Sequence, residues 1–428
     1  MAAKSSYRLV DFARAAATMA PPIELLVATD RCATLARVWR GEPLGQGARF
    51  SVPLRLRDPD EAVETLVAFD AGLRRTGAPL AGILGADETS ALVAARVAAR
   101  LGLPRGVSPE AAAAARDKHH QRTLLAAAGL PVPRFALVEA GADAGEISRA
   151  VGFPCVVKPL VLSASRGVIR ADDPGQARAA AARIRRILAR PGLLARGDPA
   201  AARILVERFV PGRELALEGL LTAGQLTPLA LFDKPDPLDG PYFEETLYVT
   251  PSREPVPLQR EIVRCVGRAA EALGLREGPL HAELRLNGRG PWLLELAARS
   301  IGGLCSRTLR FGAGVSLEEL LLRHAAGSPL TARELRREAA AAGVMMLPIP
   351  RAGTLHAVSG LDGARGVPGI EDVVVTVRPG ERLVPLPEGD RYLGFAFARA
   401  GDPAAVEAAL RSAQARLRFE IGPDLPAA

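Results

Sequence analysis

Residues 280–303, LHAELRLNGRGPWLLELAARSIGG, contain two strand-like runs joined by the turn signal NGRG. This pattern predicts a β-hairpin, and folding it about Arg289 places Glu283 and Glu295 at opposed or nearly opposed positions. Opposed residues share one face of a sheet, where two carboxylates repel each other. A bound cation removes that cost, and magnesium takes one or two protein carboxylates beside phosphate oxygens and water. The hairpin is therefore a candidate magnesium site.

The residues of the hairpin alone leave two interpretations open. In one, both glutamates lie on a solvent-exposed face, although the run LLELAA around Glu295 is apolar. In the other, they bind a metal ion. Arg299, four residues after Glu295, would then pair with that glutamate or with a phosphate beside the metal.

Lysine is rare in this arginine-rich chain. It occurs only at Lys4, Lys118, Lys158 and Lys234, among 55 basic residues. Lys158 lies in the apolar run CVVKP, where an unpaired ammonium would be costly to bury, and Lys118 follows Asp117 within a helical pattern. A compact ammonium suits a phosphate, whereas arginine is a broad fork. The retained lysines therefore favour anion binding; chance placement is the alternative, and Lys4 illustrates it.

Two further segments are weak signals on their own. LVLSASRGV at 160–168 has small residues that let backbone N–H groups approach a phosphate. It lacks the G-x-x-x-x-G-K-[ST] pattern, so a plain surface turn is the simpler interpretation. ILVERFVPGREL at 204–215 predicts strand, turn and strand, with backbone groups for an adenine edge and a carboxylate for a ribose hydroxyl.

The composition limits the possible classes of protein. Of 428 residues, 48% are apolar and 24% charged, which is ordinary for a globular protein of two or three domains. The net charge is +8, but only 4% of residues are aromatic and the arginines alternate with acids. We therefore expect a solvated basic surface and no nucleic-acid partner. No run approaches the roughly 18 apolar residues of a membrane span.

The four cysteines lie far apart and form no C-x-x-C pair: Cys32, Cys155, Cys265 and Cys305. This spacing supports neither a zinc site nor a disulfide framework. The N-terminal stretch also lacks the apolar core and cleavage site of a signal peptide. We therefore expect free thiols and a cytoplasmic protein.

The order of predicted elements divides the chain into three parts. Up to about residue 105, buried strand patterns at 23–30 and 80–87 alternate with helical patterns, which favours an open, mostly parallel sheet. A long helix is predicted between Ser108 and Gly129, and strands and helices follow. After about residue 343, short strands between glycines and prolines indicate a small β-rich module with one helix.

Four segments, taken together and in this order, resemble an ATP-grasp enzyme. They are DKHHQRTLLAAAGLPVP, GFPCVVKPLVLSASRGV, ILVERFVPGRELALEG and HAELRL…LLELAARSIGG. The resemblance covers roughly residues 80–326 and, more loosely, the whole chain. Within the family the chain is most similar to the L-amino-acid ligase type, which has a serine-containing phosphate loop, GG after the arginine and a small C-terminal module.

The resemblance implies an α/β (α+β) fold in three units. An N-terminal Rossmann-like pre-ATP-grasp domain is expected at 1–105, with 1–22 as an extension. A central ATP-grasp domain of two subdomains is expected at 106–326, and a C-terminal β-rich ligase module at 327–428.

The resemblance also implies the site residues. The expected ATP contacts are Lys118, Lys158, the phosphate-loop residues Ser163, Ser165 and Gly167, and the adenine and ribose contacts Glu207, Phe209, Val210 and Glu214. Glu283 and Glu295 are the expected metal ligands, and Lys158 and Arg299 the expected catalytic residues. The expected substrate contacts are Glu245, Arg299 and Gly302, with Glu245 holding the amino group of an amino acid.

The implied activity is ATP-dependent ligation of a carboxylate to an amine through an acyl phosphate, with ADP and phosphate released. ATP and Mg²⁺ are the expected cofactors, with Mn²⁺ as an alternative metal. The expected partners are a small-molecule carboxylate and an amine, with a homodimer as an open alternative. A purine- or biotin-type ATP-grasp carboxylase and a non-catalytic ATP-binding module are the competing hypotheses; a nucleic-acid-binding protein has only the basic pI of 9.8 in its favour.

Two positions depart from the family pattern. Many relatives carry an asparagine two residues after the second metal glutamate, where this chain has Ala297. Tyr248 stands near a place where some ligases have a polar substrate contact. The metal count and the substrate therefore do not transfer from the resemblance.

Overall fold

A computed structural model describes residues 8–20, 23–30, 48–56, 58–194 and 197–423. Lys4 and Cys32 lie outside the described residues. The helices are α1 (Leu9–Thr18), α2 (Pro59–Arg75), α3 (Glu88–Leu101), α4 (Pro109–Arg116), α5 (Lys118–Ala127), α6 (Ala144–Val151), α7 (Pro174–Leu188), α8 (Pro191–Leu194), α9 (Val256–Ala272), α10 (Leu317–Ala325), α11 (Leu361–Arg365) and α12 (Pro403–Arg416).

The described part mixes these helices with strands, which confirms the predicted α/β (α+β) class. The strands are β1 (Leu25–Thr29), β2 (Ala48–Pro53), β3 (Phe135–Val138), β4 (Cys155–Pro159), β5 (Ile169–Ala171), β6 (Ile204–Arg208), β7 (Arg213–Thr222), β8 (Gln225–Lys234), β9 (Leu247–Thr250), β10 (Gly278–Asn287), β11 (Gly290–Ala297), β12 (Arg310–Phe311), β13 (Val315–Ser316), β14 (Ala341–Leu347), β15 (Gly353–Ser359), β16 (Ile370–Val375), β17 (Arg382–Leu383), β18 (Gly394–Ala400) and β19 (Arg418–Gly422).

The N-terminal part confirms one predicted strand and corrects another. Strand β1 forms within 23–30 and pairs in parallel with β2. The strand predicted at 80–87 is wrong, since this segment has only a β-bridge position at Gly85. Its backbone runs against helix α10 instead: a Cβ on Gly82 would lie 2.0 Å from the Ala325 carbonyl oxygen. The glycine in this apolar run permits a close backbone approach, which the strand pattern does not distinguish from burial in a sheet.

The long helix predicted between Ser108 and Gly129 is interrupted at Asp117. Ser108 caps α4 as expected, but Asp117 has extended dihedrals and its carboxylate accepts from the N–H groups of His119 and His120. An aspartate that caps a new helix competes with continuation of the previous one. Lys118 is therefore the first residue of α5 and not a mid-helix residue.

Two antiparallel sheets face the central cleft. The smaller one has the strand order β3-β6-β4-β5 and packs against α6 and α7. The larger one has the order β11-β10-β7-β8-β9-β14-β18-β16. It runs without interruption from the central part into the C-terminal part, because β9 pairs with β14. The expected domain boundary between residues 326 and 327 stays a prediction. One continuous sheet contains strands from both sides of it.

The hairpin predicted around the NGRG turn forms. Strands β10 and β11 are antiparallel, and Glu283 lies directly opposite Glu295 in their register. The register shifts immediately after Glu283, which marks a bulge beside the two carboxylates. Helix α5 covers the outer edge of β11, where the side-chain amide of Gln121 bonds to both the N–H and the carbonyl of Leu296 (3.0 and 2.8 Å).

Beyond the large sheet, β15 pairs with β17 and β19, and α12 packs against β14 and β18. This arrangement agrees with the predicted β-rich C-terminal module and its single long helix. In the described residues, no helix is both long and apolar enough to cross a membrane.

Candidate active site

A cleft of about 1030 Å³, including the part open to solvent, lies between the two sheets. The predicted residues that line it are Lys118, Lys158, Ser163, Ser165, Glu207, Phe209, Val210, Glu214, Glu245, Glu283, Glu295 and Arg299. Gly167 and Gly302 are not among the lining residues. The sequence segments that were weak signals individually therefore meet in one place.

Lys158 finds its ionic partner within the protein. Its ammonium lies 2.6 Å from Glu207 Oε2, and Arg122 Nε donates to Glu207 Oε1 at 2.6 Å. Burial lowers the pKa of Lys158, because Glu207 only partly offsets the desolvation and the Arg122 charge adds to it. Burial would raise the pKa of Glu207 itself, but Arg122 and Lys158 outweigh it and lower that pKa. Two cations thus share one carboxylate on the side of the cleft that the smaller sheet forms.

Arg122 was not predicted from the sequence. It is only 1% exposed and donates a second hydrogen bond to the Leu294 carbonyl of β11. Arg122 thus ties α5 to both sheets. The available signal was its position four residues after Lys118, one helical turn along the same face.

Lys118 contacts both the predicted phosphate loop and the hairpin that carries Glu283 and Glu295. Its Nζ donates to the Leu162 carbonyl at 3.1 Å and lies 3.4 Å from Glu295 Oε1. Burial opposes the charge on Lys118, but Glu295 and Glu88 outweigh it and raise its pKa. The residue predicted to contact ATP is therefore held as an ammonium at the start of the loop.

The loop itself has an unusual backbone. Ala164 and Ser165 have φ values of 57° and 53°, in the left-handed region that non-glycine residues rarely adopt. Such conformations cost about 1 kcal/mol or more each and are found at ligand-binding segments. Gly167 also has a positive φ of 74°, and a Cβ there would lie 3.2 Å from the Pro159 ring. The phosphate-covering role of the loop stays a prediction.

Lys234 lies at the centre of three glutamates on the other side of the cleft. Its Nζ is 2.8 Å from Glu214 Oε1, 3.7 Å from Glu283 Oε1 and in direct contact with Glu245. Burial opposes its charge, but the three carboxylates raise its pKa well above the usual value. The carboxylate oxygens of this trio lie within 4.8 Å of one another. The ammonium between them supplies the cation that the trio requires.

The sequence analysis named Lys234 without assigning it a role. The same argument that selected Lys118 and Lys158 applied to it, since it is one of the four retained lysines. Its neighbours could not be inferred, because they come from β7, β10 and the segment before β9.

Cations of the protein also lie beside the predicted metal ligands Glu283 and Glu295. His281 Nε2 is 3.6 Å from Glu283 Oε1, and Lys118 lies beside Glu295. Burial would raise the pKa of Glu283, but Lys234 and His281 outweigh it and lower the pKa. The repulsion expected across the hairpin is therefore already compensated without metal. Two ionised carboxylates at the cleft surface are nevertheless the donor set that magnesium prefers.

Arg299 pairs with a residue that the sequence analysis missed. Its Nη2 donates to Glu88 Oε1 at 3.0 Å. Burial would raise the pKa of Glu88, but Arg299 and Lys118 lower it; burial would lower the pKa of Arg299, but Glu88 raises it. Glu88 opens α3, more than 200 residues away in sequence, so only the fold brings the pair together.

Glu245 lines the cleft and contacts Tyr248, which is buried. The Tyr248 hydroxyl donates to Glu245 Oε1 at 2.8 Å. Burial and the nearby Glu283 charge raise the pKa of Glu245, despite the contact with Lys234. Ala297 lines the cleft as well, and its methyl group offers no metal ligand.

Arg8 holds the segment that follows Arg299. This buried guanidinium donates to Ser300 Oγ at 2.6 Å, to the Ile301 carbonyl at 2.8 Å and to Glu318 at 2.7 Å. The backbone N–H of Ile301 donates to Glu218 at 2.9 Å, and Glu218 also contacts His281 at 3.1 Å. The position of Arg299 thus depends on an N-terminal residue that sequence patterns did not select.

Comparisons with known proteins agree with this geometry. Residues 151–308 match the ATP-grasp domain model, and residues 345–422 match L-amino acid ligase C-terminal domain 2. A D-alanine–D-alanine ligase of Azoarcus sp. (strain BH72) is 31% identical over 242 residues, covering 54% of this chain and 73% of that enzyme. The alanine–anticapsin ligase of Bacillus subtilis (strain 168) is 30% identical over 241 residues, covering 53% of this chain and 50% of that enzyme.

A solved structure extends the agreement to the whole fold. The L-amino acid ligase from Bacillus licheniformis superposes with a TM-score of 0.78 over 98% of both chains, at 24% identity. This likeness shows the fold. The chain belongs to the ATP-grasp family of carboxylate–amine ligases, whose members use ATP and Mg²⁺. It spans about half the length of the alanine–anticapsin ligases that it matches.

Proposed function

We propose that this protein joins a carboxylic acid to an amine in an amide or peptide bond, with an amino acid as one substrate. The carboxylate would attack the γ-phosphorus of ATP to form an acyl phosphate and ADP. The amine would then displace phosphate from the acyl carbon. The observation that carries the proposal is the arrangement of charge in the cleft, where Lys118 and Lys158 lie beside the loop and Lys118 also reaches the carboxylates near Arg299.

The adenine and ribose contacts are refined by the hydrogen bonds of β6 and β7. The Phe209 N–H already donates to the Pro154 carbonyl at 2.9 Å, so Phe209 would contribute its ring and Val210 its backbone. Glu214 receives Lys234 at 2.8 Å and Arg285 at 3.2 Å. A ribose hydroxyl would therefore donate to the remaining lone pairs of that carboxylate.

Lys118, Lys158 and Arg299 would neutralise charge on the transferring phosphoryl group, which is where such enzymes gain most of their rate. Glu283 and Glu295 would hold Mg²⁺, which would neutralise phosphate oxygens when bound; the protein cations beside these carboxylates would then turn toward phosphate. With Ala297 at the third position, water would complete the coordination. The loop around Ser163 and Ser165 would exclude water from the acyl phosphate.

Two carboxylates are candidates for the ammonium group of an amino-acid substrate. Glu88 is held ionised by Arg299, and its side chain lines the cleft. Glu245, the residue implied by the family resemblance, is committed to Lys234 and Tyr248. Each carboxylate is thus already paired with a cation of the protein, and both stay candidates for the ammonium group.

A phosphate-release screen tests this proposal. The full-length chain is incubated with Mg-ATP and pooled amino acids, with and without added amines, and the nucleotide product is identified by chromatography. We expect phosphate only when a carboxylic acid is present, ADP as the nucleotide, and an amide when the amine is added. AMP as the coupled product, or phosphate release independent of any acid, would falsify the mechanism. Glu295→Gln is the inactive control.

A further inference from the structure

The C-terminal part of the chain reaches back across the molecule to the phosphate loop. The Gly167 N–H donates to the Pro387 carbonyl at 2.9 Å. The neighbouring Arg166 pairs with Asp390 at 3.2 Å. The loop that lines the nucleotide side of the cleft is therefore bonded, at its end, to a segment more than 200 residues away in sequence.

Arg183 of α7 also binds this C-terminal segment, at Glu388. Its guanidinium binds Glu388 through two parallel bonds, Nε to Oε1 at 2.6 Å and Nη2 to Oε2 at 2.9 Å. Its third nitrogen donates to the Tyr242 hydroxyl, and the guanidinium carbon lies 5.3 Å from that ring's centroid. Such a fork fixes orientation as well as distance. We call the contacts of Arg183 and the phosphate loop with residues 387–390 the clasp.

The clasp joins the two sides of the cleft. Helix α7 packs on the smaller sheet, which carries Lys158, whereas residues 387–390 precede β18 of the larger sheet. Tyr242 lies three residues before Glu245 and forms a β-bridge with Ile169, just after the loop. One arginine thus contacts the segment that leads to Glu245 and the segment that holds the loop.

At its other end the loop is held by Lys118, whose ammonium bonds to the Leu162 carbonyl. Ser163, Ala164 and Ser165 lie between these two attachments and line the cleft. The two attachments therefore fix the position of a segment that lines the cleft.

We propose that Arg183 and Glu388 are positioning residues that hold the phosphate loop closed, so that the acyl phosphate meets the amine before it meets water. This inference rests on the proposed function. If the loop opens early, water takes the place of the amine: the acyl–phosphate link is cleaved, the free acid is regenerated and phosphate leaves. ATP is then consumed without an amide.

The same helix offers a matched control. Arg178 binds Asp143 through the same kind of fork, with Nε at 2.8 Å and Nη2 at 2.9 Å, and this pair links α7 only to the start of α6. The carboxylate of Asp143 has a lowered pKa because Arg178 bonds to it, and the pKa of Glu388 is likewise lowered by Arg183. The two forks are therefore similar in chemistry and differ in what they connect.

The first measurement is hydrogen exchange of the ligand-free, full-length chain, followed in peptides that cover residues 160–170. Glu388→Gln and Arg183→Gln should each raise exchange there about fivefold, the effect of losing one partly exposed ion pair. Their combination should equal Arg183→Gln alone, because that variant already removes the bonds that Glu388→Gln removes. Arg178→Gln should leave the loop unchanged. Equal effects of all the variants, or none, would overturn the clasp.

The second measurement is the ratio of phosphate released to amide formed, with an acid and amine that the wild type joins. The ratio should stay near one in the wild type and in Arg178→Gln, and rise in Glu388→Gln and Arg183→Gln. An unchanged ratio beside faster loop exchange would refute the positioning role. If the wild type releases no acid-dependent phosphate, the proposed function fails by itself, and the exchange experiment still decides whether the clasp holds the loop.

Discussion

The two sides of the cleft treat a buried lysine in opposite ways. Lys158, on the smaller sheet, is 8% exposed, and its pKa is lowered because burial and Arg122 outweigh the single carboxylate of Glu207. Lys234, on the larger sheet, is 6% exposed, and its pKa is raised despite burial because three glutamates surround it. Equal burial thus gives opposite shifts, and the number of carboxylates in contact decides the sign.

The two sides of the cleft therefore differ in the charges that surround their lysines. The side around Lys158 has more cations than carboxylates, which suits it to receive phosphate. Around Lys234, three carboxylates surround one ammonium, with Arg285 and His281 beside them, and the proposed function places magnesium on this side. Charge-changing variants on the two sides should therefore have different consequences.

Lys158→Ala should have the largest effect, on the nucleotide side alone. The variant removes a cation from the phosphate site, while Arg122 still compensates Glu207. We expect kcat/KM for ATP to fall about 10³-fold, as for other groups that stabilise transferring charge, with the fold retained in circular dichroism. A folded variant with wild-type kinetics would remove Lys158 from the site.

Lys234→Met should act first on stability. It leaves Glu214, Glu245 and Glu283 without their shared cation, and breaking a buried pair in this way costs about 3 kcal/mol. Because three carboxylates within 4.8 Å can bind a metal ion once the ammonium is gone, added Mg²⁺ should restore part of the lost melting temperature. Lys158→Ala, tested in parallel, should show no such rescue. A variant that melts like the wild type would contradict the role assigned to Lys234.

Glu245→Gln should have the smallest effect. It should change how the free energy of unfolding depends on pH. The folded-state pKa of Glu245 is raised, so its contribution is fully present below the unfolded value of about 4.3 and is lost as the pH rises through the folded value. The variant should lack this decline in the free energy of unfolding. Melting temperatures measured across the acidic range should therefore diverge from the wild type; parallel curves would contradict a raised pKa at Glu245.

Glu207→Gln, on the other side of the cleft, should change the pH dependence of stability in the opposite direction. The pKa of Glu207 is lowered, so its contribution is present above the unfolded value of about 4.3 and is lost as the pH falls through the folded value. The variant should lose stability at neutral pH and lack the acid decline that this group causes in the wild type. Chemical denaturation at neutral and acidic pH measures both effects, and a variant as stable as the wild type at neutral pH would refute them.

The sequence predicted those parts of the site that depend on local patterns. Alternation and the NGRG turn were sufficient to oppose Glu283 and Glu295, because a hairpin register depends on neighbouring residues. The rarity of lysine selected Lys118 and Lys158. Both choices use information contained within a few residues, and the cleft brings all four side chains together.

The sequence could not predict contacts that depend on distant parts of the chain. Arg299 pairs with Glu88, and Arg8 reaches Ser300, across more than 200 residues in each case. The break at Asp117 and the absence of the strand expected at 80–87 have a different cause: helix and strand patterns do not reveal a capping aspartate or a close backbone approach. The family resemblance implied a role for each site residue, and only the fold shows which residues contact it.

The side chain of Gln121 has a consequence for the outer edge of the larger sheet. Strand β11 ends that sheet, and an unpaired edge is a template for a strand from another molecule. Gln121 bonds to the N–H and carbonyl of Leu296, and Arg122 bonds to the Leu294 carbonyl. The helix that carries Lys118 therefore also protects the chain against edge-to-edge aggregation, so the ligand site and the colloidal stability of the protein depend on the same turn of helix.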